Sequence, residues 1–288
     1  MSNYVILTDS GCDIRPEVLK DWGVSFASLT FKFDNDEREY LNFDLPSKEF
    51  YDRMRDGECA KTSAINVAVF TDFFKPFLED GKDILYIGFS GGLSTTCNSG
   101  RIAADDLAGK YPDRKIICID SLCASAGQGM FLKLAVDKKA EGASLEENAA
   151  YLEKMLPHMA HWFTVDDLVY LKRGGRVSAA TALLGGMLNI KPVLHVDDEG
   201  HLISMSKVRG RKASIKALAD KFTETAVDNT KGPVFISHGD CIDDAKALAA
   251  LIEEAHGVET EIITDVGPVI GSHSGPGTLA LFFIAKER

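Results

Sequence analysis

No apolar stretch of this sequence approaches the roughly 20 residues that a membrane-crossing helix requires. Cationic side chains are in short supply: 32 Lys and Arg stand against 43 Asp and Glu, a formal net charge of -11. Nucleic acids and anionic membrane surfaces are bound through clustered Lys and Arg. Neither a nucleic-acid partner nor stable membrane insertion is therefore expected. The six cysteines, Cys12, Cys59, Cys97, Cys118, Cys123 and Cys241, form no CxxC pair, which argues against a disulfide framework. His158-x-x-His161 has no Cys or Glu beside it in a zinc pattern, and no metal is expected. Met1-Ser-Asn-Tyr4 carries neither the basic nor the apolar segment of an export signal, so a reduced, cytoplasmic protein is expected. Internal repeats and low-complexity tracts are also missing.

What is present is an ordinary globular mixture, 45% hydrophobic and 26% charged over 288 residues, enough for one large or two ordinary domains. Strand-like and helix-like runs alternate. A strand over Tyr4 to Leu7 leads into a helix entered through Pro16 and closed near Gly23. Extended segments at Val24 to Phe33 and Arg38 to Leu41 flank a turn at Asp34-Asn-Asp36. A helix from Ser47 to Arg55 precedes a loop at Lys61-Thr-Ser-Ala64, and Val67, Phe70, Phe73, Phe74 and Phe77 recur at helical spacing. Strands at Ile84 and at Lys115 to Ile119 bracket a helix through Ala103 and Leu107. A capping box, Ser144-Leu-Glu-Glu147, opens another helix, and a domain boundary is expected soon after it. The second half reads as strands at 162–165, 193–196, 202–205, 234–237, 259–264 and 279–285, with helices at 212–227 and 243–256. The expected fold is two-domain α/β, with a parallel-sheet domain over 1–158 and a mixed-sheet domain over 159–288.

Hydroxyl residues crowd three places where strands end or helices begin: Thr8 and Ser10; Thr62 and Ser63; Ser90, Ser94, Thr95 and Thr96. Helix capping is the commoner use of any one of them. Three such loops at the carboxyl edge of a parallel sheet point instead to an anion held by uncharged donors. Gly88-Phe-Ser-Gly-Gly92 also matches a nucleophile elbow, with Asp240 or Asp265 and His273 following in the order of an α/β serine hydrolase or esterase acting through Ser90. No HGGG-type oxyanion loop lies upstream. His273 sits in Ile270-Gly-Ser-His-Ser-Gly-Pro-Gly-Thr278, read as a glycine-rich loop that leaves the imidazole uncovered. Two basic islands, Leu171-Lys-Arg-Gly-Gly-Arg176 and Lys207-Val-Arg-Gly-Arg-Lys212, read as solvated loops or as sites for phosphate or an acidic partner. Asp9-Ser-Gly11 lacks the second aspartate that a haloacid-dehalogenase nucleophile would need.

Thr8-Asp-Ser10, Lys61-Thr-Ser63, Ser90 to Thr96, Leu171 to Ser178, Asn189-Ile-Lys-Pro192, Arg209-Gly-Arg211 and Ile270-Gly-Ser-His273 together resemble the DegV family of bacterial fatty-acid-binding proteins, in order and over nearly the whole length. The resemblance implies a long-chain fatty acid buried between two α/β domains as ligand, with no cofactor. It implies a non-catalytic subunit that presents the carboxylate to a separate fatty acid kinase subunit for phosphorylation to an acyl phosphate. The absence of a GxxxxGK[ST] motif agrees with an ATP site on that partner. By the same resemblance, Thr62, Ser63, Ser94 and Thr95 bind the carboxylate with His273; His273 and Arg173 stabilise charge during transfer; Arg173 and Arg209 belong to the head-group and docking face. Two positions depart from the family pattern: Thr95 stands where Gly is usual, and Ile65 where Pro is usual.

Overall fold

The computed structural model describes residues 3–176, 189–227 and 232–288. Val177 and Ser178, the end of one motif quoted above, lie outside them. In chain order the first half comprises β1 (Tyr4–Asp9), α1 (Pro16–Asp21), β2 (Ser25–Ala27), β3 (Thr30–Phe33), β4 (Tyr40–Leu41), α2 (Ser47–Arg55), β5 (Ala60–Ser63), α3 (Val67–Glu79), β6 (Asp83–Gly88), α4 (Thr96–Ala108), β7 (Ile116–Asp120), α5 (Ala126–Ala140) and α6 (Leu145–Met155). The second half comprises β8 (Met159–Thr164), α7 (Val169–Gly174), β9 (Ile190–Val196), β10 (Leu202–Arg209), α8 (Arg211–Thr225), β11 (Val234–His238), α9 (Ile242–His256), β12 (Ile262–Asp265), α10 (Pro268–Ser274) and β13 (Leu279–Ile284). The class is α/β, as the alternation implied.

One sheet is wholly parallel, in the order β2-β1-β6-β7. Its middle strand β6 reads Ile84-Leu-Tyr-Ile87, four buried residues in a row, because a parallel strand covered by helices on both faces has no wet side. A mixed sheet follows, ordered β10-β9-β8-β13-β11-β12, with only β11 and β12 parallel. All strands of the parallel sheet precede residue 158 and all strands of the mixed sheet follow it. Between them lies α5, which touches β1 and β6 on one side and β8, β11 and β13 on the other. Met130, Phe131 and Leu132 of α5 are fully buried, within one apolar cluster that runs from Ile6 and Leu85 to Phe163, Phe235 and Phe282. Each such side chain contributes about 1.5–3 kcal/mol of transfer free energy.

Three local readings change. The segment read as one strand over Val24 to Phe33 is two, β2 joining the parallel sheet while β3 pairs with β4 and β5 in a separate antiparallel sheet. Lys61-Thr-Ser63 is strand β5 rather than loop, paired with β3 through Phe31↔Thr62. Helix α5 was not anticipated at all, because its first seven residues are buried on every face and such a helix carries no apolar stripe to detect. The capping box at Ser144 is present, with Ser144 Oγ accepting from Glu147 N–H and Glu147 returning to Ser144 N–H.

Candidate ligand-binding site

A cavity of about 370 Å³ lies where the carboxyl ends of β6 and β7 meet the inner face of the mixed sheet, within the roughly 300–1,000 Å³ typical of small-molecule sites. Its walls are largely apolar: Leu29, Phe89 and Leu93 come from the first half, and Phe163, Leu171, Ile270 and Phe282 from the second. Strand register shapes the floor. Phe163, Ala280 and Ser237 are successive partners across β8, β13 and β11, so two small side chains beside one large one leave a trough.

Thr62, Ser63, Ser94, Thr95 and His273 all line this cavity, although they come from β5, the loop before α4, and α10. Thr62 Oγ1 lies 2.8 Å from His273 Nε2. Ser94 Oγ lies 2.8 Å from Thr96 Oγ1 and accepts from Thr96 N–H at 3.2 Å. Thr96 Oγ1 in turn accepts from Ile65 N–H at 3.4 Å. Among the described residues no Asp or Glu lines the cavity. Thr95 stands at φ -74°, ψ -1°, a right-handed backbone that any residue adopts, so its Cβ introduces no strain where the family pattern has glycine.

His273 is on α10 and half-buried, which corrects the expectation of an uncovered loop imidazole. Gly174 of α7 closes over it so tightly that a Cβ at Gly174 would come within 2.3 Å of His273 Nδ1. Burial first, and Arg176 second, hold its pKa down to about 4; the ring is neutral at pH 7.

Other hydroxyls of the same loops are spent on the fold. Thr8 Oγ1 donates to Ile87 O at 2.8 Å, and Ser10 Oγ accepts from Leu29 N–H at 2.9 Å. Asp9 is buried as the acceptor of Gly11 N–H, Phe89 N–H, Tyr86 OH and Gln128 Nε2, with burial raising its pKa. Asp13, pushed up to about 7 by burial, accepts from Ser125 Oγ at 2.6 Å. Ser125 Oγ also lies 3.0 Å from Ser237 Oγ. Ser125 stands at φ 53°, ψ -143°, a conformation that costs a non-glycine residue about 1–3 kcal/mol; nothing in the sequence signalled it.

The hydrolase reading is overturned by geometry. Ser90 is buried, donates to Gly200 O at 2.9 Å and accepts from Gly92 N–H at 3.2 Å, while His273 faces Thr62. Asp240 pairs with Arg55 at 2.5 Å, and Asp265 lies 3.7 Å from His238. No base–acid pair backs the serine. The elbow glycines serve packing instead: a Cβ on Gly92 would meet Glu199 O at 2.8 Å.

The arginines separate. Arg173 lies on α7, exposed, with Nη1 2.8 Å from Cys59 Sγ, and is not among the residues lining the cavity; Arg176, three residues on and given no role from the sequence, is. Its Nε approaches Leu93 O at 3.4 Å. Arg209 is exposed at the end of β10, opposite Ile190. His158 Nδ1 lies 3.0 Å from Ala285 O, and His161 is buried beside Phe282. Among the described residues no group of three or more His, Cys, Asp or Glu is placed to hold a metal ion, and no helix is long and apolar enough to cross a membrane.

This α/β architecture, with an apolar cavity ending at hydroxyls, is shared along nearly its whole length with solved structures described as lipid- or fatty-acid-binding. The chain belongs to the DegV family, whose model, described as uncharacterised protein, DegV family, matches residues 3–286. A DegV domain-containing protein of Clostridium perfringens is 39% identical over 289 residues, covering 100% of this chain and 99% of the relative. The structure of a DegV family protein from Thermus thermophilus, described for its fatty acid binding, superposes with a TM-score of 0.89 at 28% identity, covering 98% of this chain and 99% of that one. A DegV lipid-binding protein from Thermotoga maritima gives 0.87 at 29% identity, with both chains wholly covered.

Proposed function

We propose that this protein binds one long-chain fatty acid in the cavity between an N-terminal domain, residues 1–158, and a C-terminal domain, residues 159–288. The acyl chain lies along the trough at Ala280, and the carboxylate meets Thr62, Ser63, Ser94, Thr95 and His273. The observation that carries this reading is an apolar cavity whose polar lining, among the described residues, includes hydroxyls and a neutral imidazole but no acidic side chain. Fatty acid binding by the Thermus thermophilus relative supports the choice of ligand.

Energetics suit a carrier. Burying about 14 methylenes at ~0.8 kcal/mol each contributes roughly 11 kcal/mol before association costs. A carboxylate left without partners would offset much of that, so the hydroxyl donors are required for orientation as much as for affinity. Within this reading the cytoplasmic protein presents its cargo to a separate ATP-binding kinase subunit, which phosphorylates the carboxylate. Arg176, at the cavity, and Arg173, on the outer face of α7, supply positive charge near the head group; Arg173 and Arg209 form part of the docking surface. The protein itself performs no catalysis.

Equilibrium titration with palmitate, together with an ATP-consumption assay on the isolated protein, tests both halves. Saturable one-to-one binding without ATP turnover is expected. Absence of binding refutes the carrier role, and ATP hydrolysis by the pure protein refutes the division of labour.

A further inference from the structure

We propose that Thr96 is a positioning residue and that, with His273, it directs two hydroxyl protons into the cavity, making the site selective for an ionised carboxylate over an uncharged head group of the same chain length. The inference rests on the fatty-acid reading and specifies how its head-group site discriminates.

A hydroxyl has one proton and two acceptor positions. Thr96 Oγ1 accepts from Ile65 N–H and keeps one acceptor position, so the 2.8 Å contact with Ser94 Oγ could run either way; because Thr96 is wholly buried, a proton turned away from Ser94 would be left without an acceptor, and we assign Thr96 as the donor. Ser94 Oγ also receives Thr96 N–H. Both acceptor positions of Ser94 are then filled from behind, and among the described residues nothing else accepts its own proton, which is left for what enters the cavity. Thr96 is wholly buried, so water does not compete for these bonds. A proline at position 65, usual in the family pattern, has no N–H to donate to Thr96.

The second hydroxyl follows the same logic. His273 Nδ1 is buried without a hydrogen-bond partner, pressed against Gly174. A neutral imidazole carries its proton on one nitrogen only, and an orphaned buried N–H is rarer and costlier than an orphaned acceptor. The proton therefore resides on Nε2 and is donated to Thr62 Oγ1 at 2.8 Å, freeing the Thr62 proton for the cavity. Two outward O–H groups suit a carboxylate, which only accepts. A primary alcohol has one proton of its own to place and gains less.

The test compares palmitate with hexadecanol on the full-length wild-type protein and on Thr96→Val and Thr96→Ser. Wild type is expected to prefer palmitate by at least tenfold. Thr96→Val loses about tenfold for palmitate, the worth of one charge-assisted hydrogen bond, with less than about twofold change for hexadecanol, and Thr96→Ser restores the preference. In parallel, carboxyl-labelled palmitate followed by carbon NMR titrates about one pH unit higher in Thr96→Val than in wild type. Equal losses for both lipids, or none, overturn the proposal. Wild type that binds both lipids equally overturns it while leaving lipid binding intact; wild type that binds neither removes the fatty-acid reading as well. Should Thr96→Val not fold, nitrogen NMR of wild-type His273 decides: the Nε2–H tautomer is expected, and the Nδ1–H tautomer overturns the proposal.

Discussion

Around Asp9 and Asp13, hydroxyl and amide donors converge on carboxylates that the chain itself supplies, whereas around Thr62 and Ser94 a similar set of donors faces a cavity that no Asp or Glu among the described residues lines. The residue types are alike in both places, although Asp9 ends a strand of the parallel sheet and Thr62 lies on β5 of the separate antiparallel sheet. The difference is the acceptor. Where the fold brings its own carboxylate, Gly11 N–H, Phe89 N–H, Tyr86 and Ser125 are consumed in holding strands and α5 together. Where it does not, the donors remain available to a ligand. Hydroxyls committed to the fold and hydroxyls left open to a ligand are thus distinguished by what stands around them, not by their chemistry.

This contrast predicts opposite effects on stability and affinity. Asp9→Ala leaves several buried donors unpaired and is expected to cost about 4 kcal/mol of stability in urea unfolding; a wild-type midpoint would mean that Asp9 does not organise its loop. Asp13 has a folded pKa of about 7 against an ordinary 3.8, so the folded state holds its proton more tightly. Its stabilising contribution is complete at low pH and is lost as pH rises from about 4 through about 7, by a few kcal/mol. Measured against Asp13→Asn, which lacks the proton, wild-type stability should decline over that window, and parallel profiles would contradict the burial argument.

On the other side of the contrast, Thr62→Ala combined with Ser94→Ala is expected to weaken palmitate binding about 100-fold, or ~3 kcal/mol, while unfolding shifts by less than about 1 kcal/mol. A large loss of stability in that variant would erase the distinction. Gly174→Ala drives a Cβ against His273 and should cost about 1–2 kcal/mol as α7 moves from α10, read by thermal unfolding. Smallest is the effect of Thr95→Gly on stability: because Thr95 already has helical dihedrals and makes no side-chain cap bond, a change of only a few tenths of a kcal/mol in thermal unfolding is expected.

The alternation of runs was enough to infer the two sheets, because β6 and β13 are central strands with continuous apolar sequence and α3 carries its Phe70, Phe74 and Leu78 on one buried face. Thr62, Ser94 and His273 were found through motif order, and the fold brings them to one cavity. Helix α5 escaped because burial on all sides removes periodicity, and the pairing of β5 escaped because Ala60-Lys-Thr-Ser63 has no strand-like composition. Spacing alone also gave no means of choosing between Arg173 and Arg176, which point to different places from a single island. Ser90 looked like a nucleophile in one dimension; only the position of Gly200, 110 residues away, shows that its hydroxyl is already committed.

Native mass spectrometry of the protein fresh from its expression host, followed by organic extraction, tests the central claim most directly. The account predicts a species heavier than the chain by one long-chain fatty acid, recovered intact in the extract, and loss of that species in the Thr62→Ala, Ser94→Ala variant. A protein that remains unliganded after incubation with palmitate, or that carries a different class of molecule in the cavity, would contradict it.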